Sequence, residues 1–222
     1  METTPLPGER HVRISVGEVT IDADLAIPDR AIGLVAFAHG SGSNRHSPRN
    51  RYVATVMYRA CLATLLLSIL TVEEESSDLI TGTLRFDVGL LARRLAGITD
   101  WLLGNEHTQR LKLGLFGSST GAAGALLAAA ERPDAVAAIV SRGGRPDLAA
   151  HVLGRVRAPT LLIVGGQDYP VIDMNRGALA GLTAEKKLVI VPGATHLFED
   201  PGTLEQVAEL AKGWFVKYLG GR

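Results

Sequence analysis

LGLFGSSTG, residues 113–121, runs from an apolar stretch into a serine that is flanked by glycines. This GxSxG pattern, with Ser119 at its centre, is typical of a sharp turn from a strand into a helix. The turn brings the residues two before and two after the serine together, so side chains at those positions would collide. The alternative centred on Ser118 would need glycines where Phe116 and Thr120 stand. The stretch therefore predicts that Ser119 is a nucleophile at the end of a strand.

Short apolar runs alternate with longer segments of helical period on both sides of this stretch. Such alternation predicts an α/β protein with a mostly parallel sheet of about eight strands, flanked by helices. The first two strands are expected to form a hairpin. The predicted strands are His11–Val16, Glu18–Ala26, Leu34–Ala38, Ala63–Leu70, Leu111–Phe116, Ala135–Val140, Thr160–Val164 and Leu188–Val191.

Two segments place their apolar residues on one stripe of a helix. The first is Phe86–Leu103, and the second lies near the C-terminus around Trp214. Roughly twenty residues link the sixth and seventh strands, which leaves no room for a cap domain. Glu73–Glu75 is a run of like charge that we interpret as a solvated loop.

Composition narrows the class of protein. Of the 222 residues, 46% are hydrophobic and 21% charged, which is typical of a packed globular protein. Residues 1–10 are interpreted as a tail and residues 11–222 as one domain. Lysine plus arginine and aspartate plus glutamate both total 23, so no net charge favours nucleic acid or an anionic membrane.

The remaining exclusions rest on motifs. The glycine loops lack a dinucleotide fingerprint and a GK[ST] sequence, and no HExxH or cysteine pair occurs, so we expect no cofactor and no metal. The single cysteine, Cys61, is interpreted as a small buried residue in a reducing compartment. No apolar stretch is long enough to span a bilayer, and a cytoplasmic location is the default expectation.

A serine nucleophile needs a base and an acid. His196 follows the last predicted strand in VPGATHLF, and Asp168 follows the seventh through GGQD. Asp173 and Glu199 are alternative acids, but neither comes directly after a strand. The order Ser, Asp, His along the chain is the one that an α/β-hydrolase topology generates.

The negative charge that develops on the substrate oxygen needs backbone donors. The N–H of Thr120 opens the helix after the nucleophile and is expected to be one of them. The other is expected in HGSGS, residues 39–43, where we assign Ser41 with Gly42 as the alternative. His39 in the same loop is interpreted as structural.

Together, HGSGS, GSSTG, GGQD and GATH resemble the dienelactone-hydrolase-like branch of the α/β hydrolases, over about His11 to Leu219. The resemblance implies an eight-stranded sheet and places the triad on Ser119, Asp168 and His196. Dienelactone hydrolase itself uses a cysteine where this chain has serine. Relatives in this branch also tend to have an aspartate after the fourth strand, where this chain has the neutral run LSILT at residues 67–71.

Several residues near the catalytic edge are candidates for substrate contact. Arg142 and Arg145 follow the sixth strand and could bind an anionic group, or could instead pair with Asp147 or Glu131. The assigned substrate-binding candidates are Gly42, Ser68, Arg142, Tyr169 and Phe198.

The sequence thus predicts a serine hydrolase that cleaves a small ester or related acyl substrate through an acyl-enzyme. Its expected partner is a small-molecule substrate. The alternative hypothesis is a catalytically silent or engineered binding or scaffold protein that keeps the hydrolase fold.

Overall fold

The computed structural model describes residues 4–221, and within them an eight-stranded sheet is flanked by helices. The central strands are buried on both faces because helices cover both sides of the sheet, and most of these helices are apolar on one side. The strands are β1 (Arg10–Val16), β2 (Val19–Ala26), β3 (Gly33–Ala38), β4 (Leu62–Leu67), β5 (Leu113–Ser118), β6 (Val136–Arg142), β7 (Thr160–Gly165) and β8 (Lys186–Val191). The helices are α1 (Pro48–Arg59), α2 (Val72–Thr81), α3 (Val88–Gly104), α4 (Thr120–Glu131), α5 (Tyr169–Gly181) and α6 (Thr203–Leu219), and 3₁₀ segments cover Leu84–Phe86 and Pro146–Arg155.

The sheet has the order β1-β2-β4-β3-β5-β6-β7-β8. β2 pairs antiparallel with β1 and β4, and the remaining pairs are parallel. The predicted hairpin, the eight strands and the mostly parallel sheet are confirmed. Because β3, β5, β6, β7 and β8 are parallel, their carboxyl ends meet at one edge of the sheet, where α/β proteins place their ligands.

Two hydrophobic layers cover the sheet. α1 and α6 pack on one face around Phe37 and Phe116, whereas α3 and α4 pack on the other with the segment 146–155. The predicted stripe of α3 is buried. The link between β6 and β7 contains only that 3₁₀ segment, which lies on α4, so there is no cap domain.

The fourth strand is shorter than predicted, because the chain leaves the sheet after Leu67. The N–H of Ser68 donates to the carbonyl of Asp22 (2.9 Å), and the N–H of Ile69 donates to the ring of His39 (2.9 Å). The Ser68 bond continues the antiparallel register of β2 and β4 by one residue, and at Ile69 the bond to His39 takes the place of further strand pairing.

Two local interpretations were wrong. Glu73–Glu75 is the first turn of α2 and not a loop, since Thr71 and Glu74 form a reciprocal capping box and acidic side chains are favourable at a helix N-terminus. Cys61 is exposed and not buried. It occupies the short link between α1 and β4 with a φ of 61°, while its carbonyl accepts a hydrogen bond from Ile32 (2.8 Å).

No helix among residues 4–221 has both the length and the apolar character needed to cross a bilayer.

Candidate active site

The turn between β5 and α4 holds Ser119 in a strained backbone conformation. Its φ of 49° and ψ of −123° lie outside the regions that non-glycine residues usually adopt. A Cβ at Gly117 would lie under 3.0 Å from the backbone of Ala122, and one at Gly121 would lie equally close to the carbonyl oxygens of Ala38 and His39. The steric requirement predicted for both glycines is therefore present in the fold.

His196 and Asp168 come from two different loops and meet in a hydrogen bond. His196 Nδ1 lies 2.6 Å from Asp168 Oδ2. With the proton on Nδ1, this bond leaves Nε2 free to accept a proton. The alternative acids are occupied elsewhere: Asp173 pairs with Arg176 and Glu199 pairs with Arg49.

The segment after β6 connects the nucleophile to this pair. The N–H of Ser119 donates to the carbonyl of Arg142 (3.3 Å), and the N–H of Arg145 donates to the carbonyl of Ser119 (3.1 Å). Gly143 lies between these two arginines in the chain and has a φ of 51°. It is close to His196, since a Cβ at this glycine would be 3.5 Å from the imidazole ring. No hydrogen bond within 3.5 Å joins Ser119 Oγ to His196, a bond that often tightens only in the substrate complex.

The two residues assigned to the oxyanion hole are in contact. Ser41 Oγ and Thr120 Oγ1 are 3.1 Å apart, and each also donates to the carbonyl of Arg85 at 3.4 Å. Gly40 lies against the nucleophile, since a Cβ there would come within 2.9 Å of Ser119 Cβ. The loop after β3 therefore lies directly beside Ser119, as an oxyanion loop requires.

His39 anchors this loop. Its Nδ1–H donates to the carbonyl of Gly40 (3.0 Å), while its Nε2 accepts from the N–H of Ile69 (2.9 Å). Burial lowers the pKa of His39 to about 4, with the Gly40 hydrogen bond opposing the shift. A neutral imidazole bonded at both nitrogens has the structural role predicted for it.

Acid is expected to weaken the fold through His39. Its pKa is 6.5 in the unfolded chain and about 4 in the folded protein. The unfolded state therefore binds a proton first as the pH falls, and stability present above pH 6.5 is lost on the way to pH 4. We expect the wild type to lose about 3 kcal/mol more unfolding free energy over this window than His39→Gln. Urea unfolding at each pH measures this, and parallel curves for both proteins would contradict it.

A cavity of about 280 Å³ opens beside the loop of residues 39–43, the candidate oxyanion loop. Its walls combine the loop with the segment from α2 to the start of α3. The segment is held by an ion pair between the partly exposed Arg85 and the buried Asp78, in which Arg85 Nε lies 2.5 Å from Asp78 Oδ2. The lining residues are His39, Gly40, Ser41, Gly42, Ser43, Asn44, Leu70, Glu75, Asp78, Leu79, Arg85 and Leu91.

Comparison with solved structures shows the family. A dienelactone hydrolase from Anabaena variabilis ATCC 29413 is 62% identical, with a TM-score of 0.94 over 95% of this chain and 98% of that one. The chain belongs to the dienelactone-hydrolase-like α/β hydrolases. Est1E from Butyrivibrio proteoclasticus shares the fold at 16% identity, with a TM-score of 0.80 over 95% and 99% of the two chains.

Two curated sequences from Mycobacterium tuberculosis strains CDC 1551 and H37Rv also match this dienelactone-hydrolase-like chain. Both bear the name "Putative phosphoribosyl transferase" and are 52% identical over 213 residues. The match covers 96% of this chain but 47% of theirs, so the chain spans about half the length of these relatives. No protein-family profile matches the chain.

The substrate-binding candidates of this dienelactone-hydrolase-like protein lie in different surroundings. Gly42 lines the cavity, and Tyr169 is 70% exposed at the start of α5. Ser68 does not line the cavity: it is buried and receives a hydrogen bond from Arg45 Nη1 (3.1 Å). Phe198, whose φ is 55°, is 1% exposed and belongs to the hydrophobic layer of α1 and α6.

Arg142 and Arg145 differ although both follow β6. Arg145 makes a two-pronged ion pair with Asp147 (2.8 and 2.9 Å), which is the structural alternative considered for it. Arg142 is buried and pairs with neither Asp147 nor Glu131.

Sequence reasoning missed the segment from α2 to Arg85 as a wall of the site. The signal was present in TVEE, residues 71–74, which fits the capping-box pattern that begins a helix. That the 3₁₀ segment after this helix lies against the loop of residues 39–43 follows only from the tertiary contact between the Arg85 carbonyl and Ser41.

Proposed function

We propose that this protein is a serine hydrolase that cleaves a small ester or related acyl substrate through an acyl-enzyme. The observation that supports it best is the 2.6 Å hydrogen bond between His196 and Asp168, made by residues from two loops and adjoining the strained turn at Ser119. Membership of the dienelactone-hydrolase-like family supports hydrolysis as the class of reaction.

In the proposed mechanism Ser119 Oγ attacks the carbonyl carbon of the substrate while His196 Nε2 takes its proton. Asp168 stabilises the imidazolium that forms. The N–H groups of Thr120 and Ser41 donate hydrogen bonds to the carbonyl oxygen as it becomes negative. The positive end of the α4 dipole stabilises the same charge. His196 then returns the proton to the leaving group, and water cleaves the acyl-enzyme with the same base.

The cavity beside Ser41 supports a small substrate. Its volume of about 280 Å³ lies near the lower end of ordinary ligand sites. Leu70, Leu79 and Leu91 supply apolar walls, and the charges of Asp78 and Arg85 are already paired with each other. The carboxylate of Glu75 also lines the cavity, so these surroundings favour an uncharged acyl group over an anionic one. Phosphoribosyl transfer is not part of this proposal, because more than half of the relatives with that name lies outside the match.

Labelling with a fluorophosphonate probe tests the proposal, because such probes react with activated serines. We expect rapid labelling of the wild type, none of Ser119→Ala, and labelling slowed by about 10³-fold or more in His196→Ala. Ser118→Ala is the matched control: its buried hydroxyl bonds Asn50 (3.4 Å), so labelling should persist. A wild type that does not label would instead support the silent scaffold.

A further inference from the structure

Arg142 is a buried cation without an ion-pair partner. Its residue is 7% exposed, and among residues 4–221 no carboxylate lies within 4.0 Å of its guanidinium. Its Nη1 is buried and has no hydrogen-bond partner within the same range of residues. In the described part of the chain, its charge faces the ring of Phe116, whose centroid lies 6.0 Å from Cζ. A desolvated cation in this state costs several kcal/mol unless something compensates it.

A second guanidinium with an unused donor lies nearby. Arg49, in the first turn of α1, bonds Glu199 through Nη1 (2.8 Å), but its buried Nε has no partner among the described residues. Burial, and then the charge of Arg49, lower the pKa of Arg142 to about 10. Within residues 4–221, each of the two guanidinium groups thus has one buried N–H without an acceptor, and the charge of Arg49 acts on Arg142.

The register of the sheet places both arginines on the α1 side. Arg142 pairs with Ser118 across the parallel strands, so the two side chains share a face. Ser118 Oγ bonds Asn50, the neighbour of Arg49 in α1. The cavity beside Ser41 is bounded instead by α2 and by Leu91 of α3, which packs on the opposite face.

We propose that Arg142 and Arg49 form a binding site for an oxyanion, such as a phosphate or carboxylate group. An oxyanion would accept hydrogen bonds from the unused N–H donors and offset the repulsion between the two cations. The planar guanidinium group matches the geometry of carboxylate and phosphate groups. The site lies beneath the loop of the catalytic histidine: Gly143 touches His196, and Arg49 is bonded to Glu199 in that loop. A bound oxyanion therefore stabilises the loop.

Thermal unfolding with inorganic phosphate tests this independently of catalysis. Sodium chloride keeps the ionic strength constant. We expect phosphate to raise the Tm of the wild type saturably, by about 5 °C at high occupancy. Arg142→Met should lose this response, and in chloride alone it should be at least as stable as the wild type, because it removes an unpaired buried charge. Arg145→Met is the matched control and should keep the response.

Two results would overturn the site. One is a wild-type Tm that does not respond to phosphate beyond chloride; the other is an equal response in Arg142→Met. If Arg142→Met does not fold, Arg49→Met replaces it under the same criteria.

Kinetic competition distinguishes the two possible sources of the oxyanion, which are a group of the substrate and a free anion. If phosphate competes with esters that have a carboxylate on the alcohol, but not with neutral esters, the site binds a group of the substrate. If phosphate raises the Tm but does not compete with either ester, the site binds a free anion.

Discussion

Ser119→Ala is expected to lower kcat on an activated short-chain ester by about 10⁴-fold. The variant removes the nucleophile but leaves the oxyanion donors and the cavity in place, so a small residual rate should remain. Ser119 already has an unfavourable backbone conformation, and the change deletes only Oγ, so the fold should persist. Steady-state kinetics measure the loss of kcat. An unchanged Tm shows that this loss comes from the chemical step and not from unfolding of the variant.

The double variant Ser119→Ala/His196→Ala sharpens this result. Residues that act as one catalytic unit lose little further activity when the second is removed. We expect the double variant to be about as slow as Ser119→Ala alone. Losses that multiply would mean that Ser119 and His196 act separately, and near wild-type activity in Ser119→Ala would refute the mechanism.

Gly121→Ala is expected to destabilise the protein by about 4 kcal/mol or more. The new Cβ would lie under 3.0 Å from the carbonyl oxygens of Ala38 and His39, which are backbone atoms at the start of the oxyanion loop. Neither side can move without displacing β3 or the turn at Ser119. Urea unfolding measures the loss of unfolding free energy. A variant that can be purified only as aggregate would also indicate destabilisation.

Gly177→Ala provides the matched control for this change. Gly177 is exposed in α5, and a Cβ there meets no atom within 4 Å. Alanine should stabilise a helix at such a position by about 0.5 to 1 kcal/mol. Equal effects of the two substitutions would show that the close approach at Gly121 is not what requires glycine there.

The local patterns that the sequence predicted well are those with a short-range physical cause. The two glycines around Ser119 and the buried stripe of α3 both depend on sterics or side-chain spacing within a few residues. The length of β4 was mispredicted because the end of this strand depends on a distant partner: the N–H of Ile69 bonds the ring of His39 instead of a neighbouring strand.

The amino-acid order alone determined the fold class, the strand that leads into Ser119 and the strands that lead to His196 and Asp168, because periodicity and glycine sterics act locally. Only the tertiary structure decided which carboxylate reaches His196, which segment lies against the loop of residues 39–43, and that Arg142 is buried without a counter-ion among residues 4–221. These contacts join residues far apart in the chain, and their partners are set by how the layers pack.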